Sequence, residues 1–213
     1  MKIYFVRHGE SEGNTGPLHQ GPDTPLTENG RKQAEFVAER FSDIPIDLIV
    51  SSTYERAKET AYIINSLILR PIEYSELFVE RRQPSEIVGT PKEGPVSEEI
   101  RNLMREKRHT LGWRHSDEEN FEDLKKRGLD ALDFILSLGR ENVLVVTHGL
   151  FMRMLIACVI LGKEMTSHEY FKIMVSFDTK NTGITMCEYK PAIPNERDNP
   201  WHIVAWNDHA HLG

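Results

Sequence analysis

The chain has 213 residues, 39% apolar and 28% charged, with a formal net charge of −7. Its length suits one domain with a full core, and its acidity argues against nucleic-acid or anionic-membrane partners while leaving room for a local basic pocket. No stretch approaches the roughly 18 continuous apolar residues of a membrane span.

The N-terminus runs straight into an apolar stretch, with no secretory signal pattern. Only Cys158 and Cys187 occur, without metal-type spacing, so a reducing cytoplasm is the expected compartment. Residues 3–6 are apolar, β-branched and aromatic, which predicts a buried strand. The run breaks into Arg7-His8-Gly9. A parallel α/β sheet binds ligands beyond the carboxyl ends of its strands, so a cation, an imidazole and a glycine there are candidates for an anion site.

Residues 12–26 contain Gly13, Gly16, Pro17, Gly21, Pro22 and Pro25, too many breakers for a helix or strand. Thr27 is a predicted N-cap for a helix with Ala34, Val37, Ala38 and Phe41 on one face. A second strand is expected over 46–51. Ser52-Thr53-Tyr54-Glu55 then reads as a capping box, opening a helix that buries Ala57, Ala61, Ile64 and Ile68 and stops before Pro71. This alternation predicts an α/β fold with parallel βαβ units. Arg56 lies near the start of that helix, where the macrodipole disfavours a cation by about 0.3–1 kcal/mol. It is either solvated or paired with Glu55 or Glu59, or it shares the helix N-terminus with a bound anion. The strand-end context favours the anion.

A short strand is expected over 72–74. Residues 81–118 then break the rhythm, with Pro84, Gly89, Pro91, Gly94, Pro95 and Gly112. They read as an insertion or lid over the strand ends of a single catalytic domain, 1–213. Within them Ser97 is a predicted cap for a short helix bearing Ile100, Leu103 and Met104. Arg101, Arg105, Lys107, Arg108 and His109 are offset by Glu98, Glu99 and Glu106, which predicts a solvated mixed-charge face. Ser116-Asp117-Glu118-Glu119 reads as another capping box, before a helix with Phe121, Leu124, Leu132 and Ile135 inward and Gly139 past its end. A strand over 143–147 ends in His148-Gly149. Met152, Leu155, Ile156 and Val159 follow as a core stripe up to Gly162, and 164–175 adds a helix. Strands over 182–189 and 201–207, joined by a loop with Pro191, Pro194 and Pro200, are expected to pair antiparallel.

Three strand ends thus deliver Arg7 with His8, Ser51 and Ser52 with Arg56, and His148 with Gly149. Guanidiniums hold phosphate oxygens bidentately and stabilise the charge spread during phosphoryl transfer. A neutral imidazole is a competent nucleophile toward phosphorus, and a carboxylic acid must protonate the leaving oxygen. His202, His209 and His211 lack metal-type spacing and read as surface or core residues. Both cysteines read as packing.

Arg7-His8-Gly9-Glu10-Ser11 with Asn14 resembles the signature of the histidine phosphatase superfamily, the phosphoglycerate-mutase-like group. Gln20-Gly21, Asp23-Thr24-Pro25-Leu26-Thr27-Glu28-Asn29-Gly30, Ser51 to Thr60, Thr147-His148-Gly149 and the tail from Trp206 to Leu212 fit the same pattern. The resemblance implies a three-layer α/β/α fold with a mostly parallel central sheet. It also implies phosphoryl transfer through a phosphohistidine, with no metal and no cofactor. His8 would be the nucleophile, and Arg7, Arg56 and His148 the phosphate pocket. Asn14 and the Gly149 backbone would add hydrogen bonds, with Gln20 and Gly21 near the substrate. Glu80, from Leu77-Phe78-Val79-Glu80, matches the proton donor.

After Glu80 the sequence departs from the glycine-rich, aromatic segment that phosphatase relatives often carry. Arg81-Arg82-Gln83-Pro84-Ser85-Glu86 stands there, which makes Glu86 a second candidate acid. Arg81 and Arg82 either contact a second anionic group on the substrate or are solvated. The leading expectation is a phosphomonoesterase acting on a small phosphorylated metabolite, with a mutase as the nearest rival. A non-catalytic phospholigand-binding module and a metal-dependent phosphatase rank lower. The sequence leaves a homodimer open.

Overall fold

A computed structural model describes residues 1–191 and 199–213. Its apolar runs form one six-stranded sheet: β1 (Lys2–Arg7), β2 (Leu48–Ser51), β3 (Ile72–Tyr74), β4 (Asn142–Thr147), β5 (Ile184–Tyr189) and β6 (Trp201–Asp208). The strand order is β3-β2-β4-β1-β5-β6. The β1–β4, β2–β4 and β2–β3 pairs are parallel, and β1–β5 and β5–β6 are antiparallel. The expected proline-rich link between β5 and β6, including Pro194, falls mostly outside the described residues.

The helices are α1 (Glu12–Thr15), α2 (Glu28–Phe41), α3 (Glu55–Ile68), α4 (Pro95–Lys107), α5 (Phe121–Ser137), α6 (Gly149–Leu161) and α7 (Ser167–Ser176). Strand side chains alternate between two cores, because successive residues point to opposite faces. Ile3, Phe5, Val143 and Val145 pack with Leu132 and Ile135 of α5 and Phe151 and Leu155 of α6. Tyr4, Val6, Leu144 and Val146 pack with Val37 and Phe41 of α2 and Ala61 and Ile64 of α3. The sheet is therefore apolar on both faces, as a covered parallel sheet requires, and the fold is three-layer α/β/α. No helix among the described residues is long and apolar enough to cross a membrane.

The strand order explains how two distant histidines meet. In the β1–β4 register Arg7 stands opposite Thr147, so His8 and His148 leave adjacent strands side by side. The His8 N–H donates to the Thr147 carbonyl at 2.9 Å. Glycine is needed at the turn that follows, since a Cβ on Gly9 would collide with the carbonyl of Gly30, and one on Gly30 with that of Glu10.

Several local signals resolve differently from their sequence reading. Residues 12–15 form a short helix within the expected loop, where Asn14 Oδ1 accepts the Ser11 N–H at 3.0 Å. The helix after β2 is capped at Tyr54 and not by Ser52, whose hydroxyl is engaged with His148 at 2.8 Å. Helix α4 starts from Gly94 with Pro95 at its first position, a favoured place for proline; Ser97 lies inside it and donates to the Pro91 carbonyl at 2.7 Å. Helix α5 is capped reciprocally by Asn120 and Asp123, four residues after the expected cap at Ser116.

The segment 81–118 folds back on the loop that follows β1. His19 N–H donates to the Thr90 carbonyl at 2.9 Å, and Lys92 Nζ donates to the carbonyls of Gly13 and Gly16 at 2.6 and 2.8 Å. It therefore sits at the carboxyl end of the sheet.

Candidate active site

His8 and His148 are fully buried, with ring centroids 5.0 Å apart. His8 Nδ1 lies 2.7 Å from the Gly9 carbonyl, to which it can only donate. Its Nε2 accepts from Arg56 Nε at 3.2 Å. These partners assign the tautomer and place the ring's lone pair on Nε2, facing a guanidinium. Arg56 is itself buried, and its Nη1 donates to the Gly21 carbonyl at 2.9 Å. Thr60, one turn along α3, accepts the Gly9 N–H at 3.1 Å and donates to the Arg56 carbonyl at 2.7 Å. The end of β1 is thereby tied to the start of α3.

His148 Nε2 lies 2.8 Å from Ser52 Oγ, which also accepts the Tyr54 N–H at 3.2 Å. The Tyr54 ring packs against His148 at 5.3 Å and beneath Arg56 at 5.2 Å. Arg7 Nη1 donates to the Thr179 carbonyl at 2.5 Å. Arg7 Nε, His148 Nδ1 and Thr179 Oγ1 are buried and without hydrogen-bond partners among the described residues. They surround Gly149, where an added Cβ would stand 3.1 Å from Thr179 Oγ1 and 3.3 Å from Arg7 Nε. An unsatisfied buried polar group costs about 1–3 kcal/mol. Three in one place mark a site for an oxygen-rich ligand.

Asn14 Oδ1 lies 3.1 Å from Ser11 Oγ, and Gln20 Oε1 lies 3.0 Å from the same hydroxyl. Asn181 Nδ2 donates to both the His8 carbonyl and Asn14 Oδ1, at 2.9 and 3.2 Å. Glu80 closes the far side. Its Oε2 accepts the Leu150 N–H at 3.1 Å, and its Oε1 accepts the Phe151 N–H at 2.9 Å, so it caps α6 immediately after His148-Gly149. Glu86 instead faces His115, 2.8 Å away. Arg81 Nε donates to the Glu119 carbonyl at 3.2 Å, and Arg82 approaches Glu76 and Glu119 at 3.6 and 3.8 Å. Both cysteines are buried, which pushes their thiols up to about 12. His209 meets its own loop, with Nδ1 2.7 Å from the Asn207 carbonyl, and His211 lies 3.0 Å from the Thr182 hydroxyl. No metal-binding cluster occurs among the described residues.

Residues 3–209 match the family model of the histidine phosphatase superfamily (branch 1). The chain belongs to that superfamily. It is 28% identical to a probable phosphoglycerate mutase GpmB of Yersinia pestis, over all of this chain and 95% of that one. Its fold is similar to Bacillus stearothermophilus YhfR, with 26% identity, a TM-score of 0.79 and coverage of 100% and 99% of the two chains. It is also similar to the phosphoserine phosphatase of Entamoeba histolytica in complex with 3-phosphoglyceric acid, with 24% identity, a TM-score of 0.76 and coverage of 100% and 99%.

In this histidine phosphatase superfamily member, burial and the neighbouring guanidiniums set the charge of the site. Burial, then Arg56 and Arg7, holds the His8 pKa well below its ordinary value of 6.5. Burial, then Arg56, does the same to His148. Burial lowers Arg56 to about 10, opposed by Glu80 and Tyr54, so the site keeps its cations and neutral imidazoles at pH 7. This has a stability consequence. Below pH 6.5 the unfolded chain binds protons that the folded imidazoles refuse, so stability falls with pH from 6.5 toward the folded pKa values. Between pH 7.5 and 5.5 the melting temperature of a His8→Gln/His148→Gln variant should therefore fall less than that of the wild type.

Arg127 carries no signal in the sequence and Glu119 reads there only as part of a capping box, yet the two position Glu80. Arg127 donates from Nε and Nη2 to the two Glu119 carboxylate oxygens, each at 2.7 Å. Its Nη1 donates to the carbonyls of Leu77 and Val79 at 2.9 and 2.8 Å, and it lies 3.9 Å over the Phe151 ring. Burial alone would raise the Glu119 carboxyl, but Arg127 and Arg82 together outweigh it and hold the pKa below the ordinary value. Arg127→Met should cost about 3–5 kcal/mol by stranding a buried carboxylate. Urea unfolding measures this loss, and adding Glu119→Leu should restore part of it.

Proposed function

We propose that the chain is a metal-independent phosphomonoester hydrolase acting through a phosphohistidine on His8. The observation that carries this reading is the Arg56–His8 hydrogen bond, which aims the Nε2 lone pair into a hollow walled by Arg7, Arg56 and His148. A substrate phosphate draws the donors of Arg56 onto its oxygens and releases that lone pair. His8 Nε2 then bonds to phosphorus as the ester P–O bond breaks, and Glu80 gives its proton to the departing oxygen. Water attacks the phosphohistidine, Glu80 takes a proton from it, and inorganic phosphate leaves with His8 regenerated.

His148 serves the equatorial oxygens. With Ser52 Oγ already accepting the Tyr54 N–H, its proton points to His148 Nε2, which leaves Nδ1–H as the free donor. The guanidiniums meet the charge that a metal ion would otherwise meet. We further propose that residues 81–118 select the substrate from above the strand ends.

A mutase reading is favoured by the probable phosphoglycerate mutase among the relatives. Incubation with 3-phosphoglycerate and other phosphomonoesters in EDTA separates the two. A hydrolase releases phosphate from at least one ester with full activity in chelator, whereas a mutase accumulates 2-phosphoglycerate. Loss of all activity in EDTA overturns the metal-independent reading.

A further inference from the structure

Beside Glu80 lies a cavity of about 390 Å³ that the phosphate chemistry does not use. Its volume falls within the ~300–1,000 Å³ of small-molecule pockets. Leu150, whose N–H Glu80 holds, and Arg81, the residue after Glu80, line it; His8 and His148 do not. A leaving group protonated by Glu80 therefore has this space beside it.

The lining combines cations with aromatic rings. Five arginine and lysine side chains face two carboxylates there, on a chain whose net charge is −7. Arg101, Met104 and Arg105 come from one face of α4, at i, i+3 and i+4, and Arg108 is its C-cap. Arg101 and Arg105 are exposed and Lys107 pairs with Glu106 at 2.9 Å, so the helix carries the solvated mixed-charge face expected from the sequence, but Glu98, Glu99 and Glu106 do not line the cavity. Among the described residues Arg101 and Arg105 make no ion pair. Glu118 is committed to the N–H groups of His115 and Ser116, at 2.6 and 2.8 Å. Like charges at i, i+4 destabilise a helix, a cost that a bound anion removes. The buried Nε2 of His19, on the same lining, also lacks a partner among the described residues. The lining also brings Phe121 and Tyr170, their rings 5.7 Å apart, together with Trp113 and Met174.

We propose that this cavity binds the alcohol portion of the substrate. That alcohol is a flat apolar or aromatic group bearing a second anion, a carboxylate or phosphate, seated against Arg101 and Arg105. The inference rests on the phosphomonoesterase reading above. Aromatic walls and paired guanidiniums recognise such a group by packing and by charge-assisted hydrogen bonds.

The test uses the full chain and two matched esters, the phosphate of 4′-hydroxybiphenyl-4-carboxylate and that of its methyl ester, with p-nitrophenyl phosphate as a third substrate. The wild type should show kcat/KM on the order of ten-fold or more higher for the free carboxylate than for the methyl ester. Arg101→Glu/Arg105→Glu should bring that ratio to one or below, and the milder Arg101→Gln/Arg105→Gln should lower it several-fold. A ratio is independent of how much protein is folded. A wild-type ratio near one, or one that survives both double variants, overturns the inference even while p-nitrophenyl phosphate is hydrolysed. If none of the three substrates releases phosphate, the phosphomonoesterase reading itself falls, and the inference with it.

Discussion

Replacing His8 with alanine is expected to lower turnover by roughly 10⁴-fold or more, because no other group in the hollow can take its place as nucleophile. Ser52 and Thr60 are near, but their hydroxyls are engaged with His148 and with the Arg56 carbonyl. The variant should still fold, since β1 is held by its strand partners and by the two cores on either face. It should also still bind inorganic phosphate through Arg7 and Arg56, which calorimetry measures. Lost turnover with retained phosphate binding separates a missing nucleophile from a collapsed site. Substantial residual activity would assign the nucleophile to another residue.

Glu80→Gln should show a loss that depends on the leaving group. With an alkyl phosphate, whose departing oxygen needs a proton, turnover should fall by roughly 10²–10⁴. With p-nitrophenyl phosphate, whose leaving group needs almost none, the fall should be far smaller. The amide keeps one oxygen to accept from α6 but turns an NH₂ toward the other backbone N–H. A stability loss of about 1–2 kcal/mol should therefore accompany the kinetic effect. Equal losses on both substrates would make Glu80 a positioning residue. Wild-type behaviour on both would remove it from the chemistry, and Glu86, held by His115, would be a poor replacement.

The skeleton of this site was legible because its parts sit where apolar runs break. The runs before Arg7-His8-Gly9 and before His148-Gly149 are both buried strands, and their ends carry the paired imidazoles. Periodicity could not show that β1 and β4 are neighbours; that followed from the family resemblance, and the strand order gives its geometry. Thr179 and Asn181 escaped notice for a topological reason. They enter β5, which runs antiparallel to β1, so its entry loop lies at the same sheet end as the exits of the parallel strands. Nothing in the local sequence announces that direction.

The misread capping signals share one cause. Ser52, Ser97 and Glu119 all suit a helix start by residue type, but each has a tertiary partner that local pattern cannot reveal: His148, the Pro91 carbonyl and Arg127. Local side-chain bonding competes with such partners and loses where the partner is buried or charged. The basic run in α4 is solvated and mixed in charge, as its composition implies, with Arg101 and Arg105 exposed and Lys107 paired with Glu106. What a sum over residues does not show is that Arg101 and Arg105, one turn apart on the helix, both line the cavity.

The most direct measurement traps the covalent intermediate itself. The enzyme is mixed with a turned-over phosphomonoester, quenched in alkali, where phosphohistidine survives, and digested for mass spectrometry. The expected adduct is a phosphoramidate on His8, stable to alkali, lost in acid, and absent from His8→Ala. A phosphoryl group on His148, or phosphate release with no covalent adduct at any time point, would contradict the account.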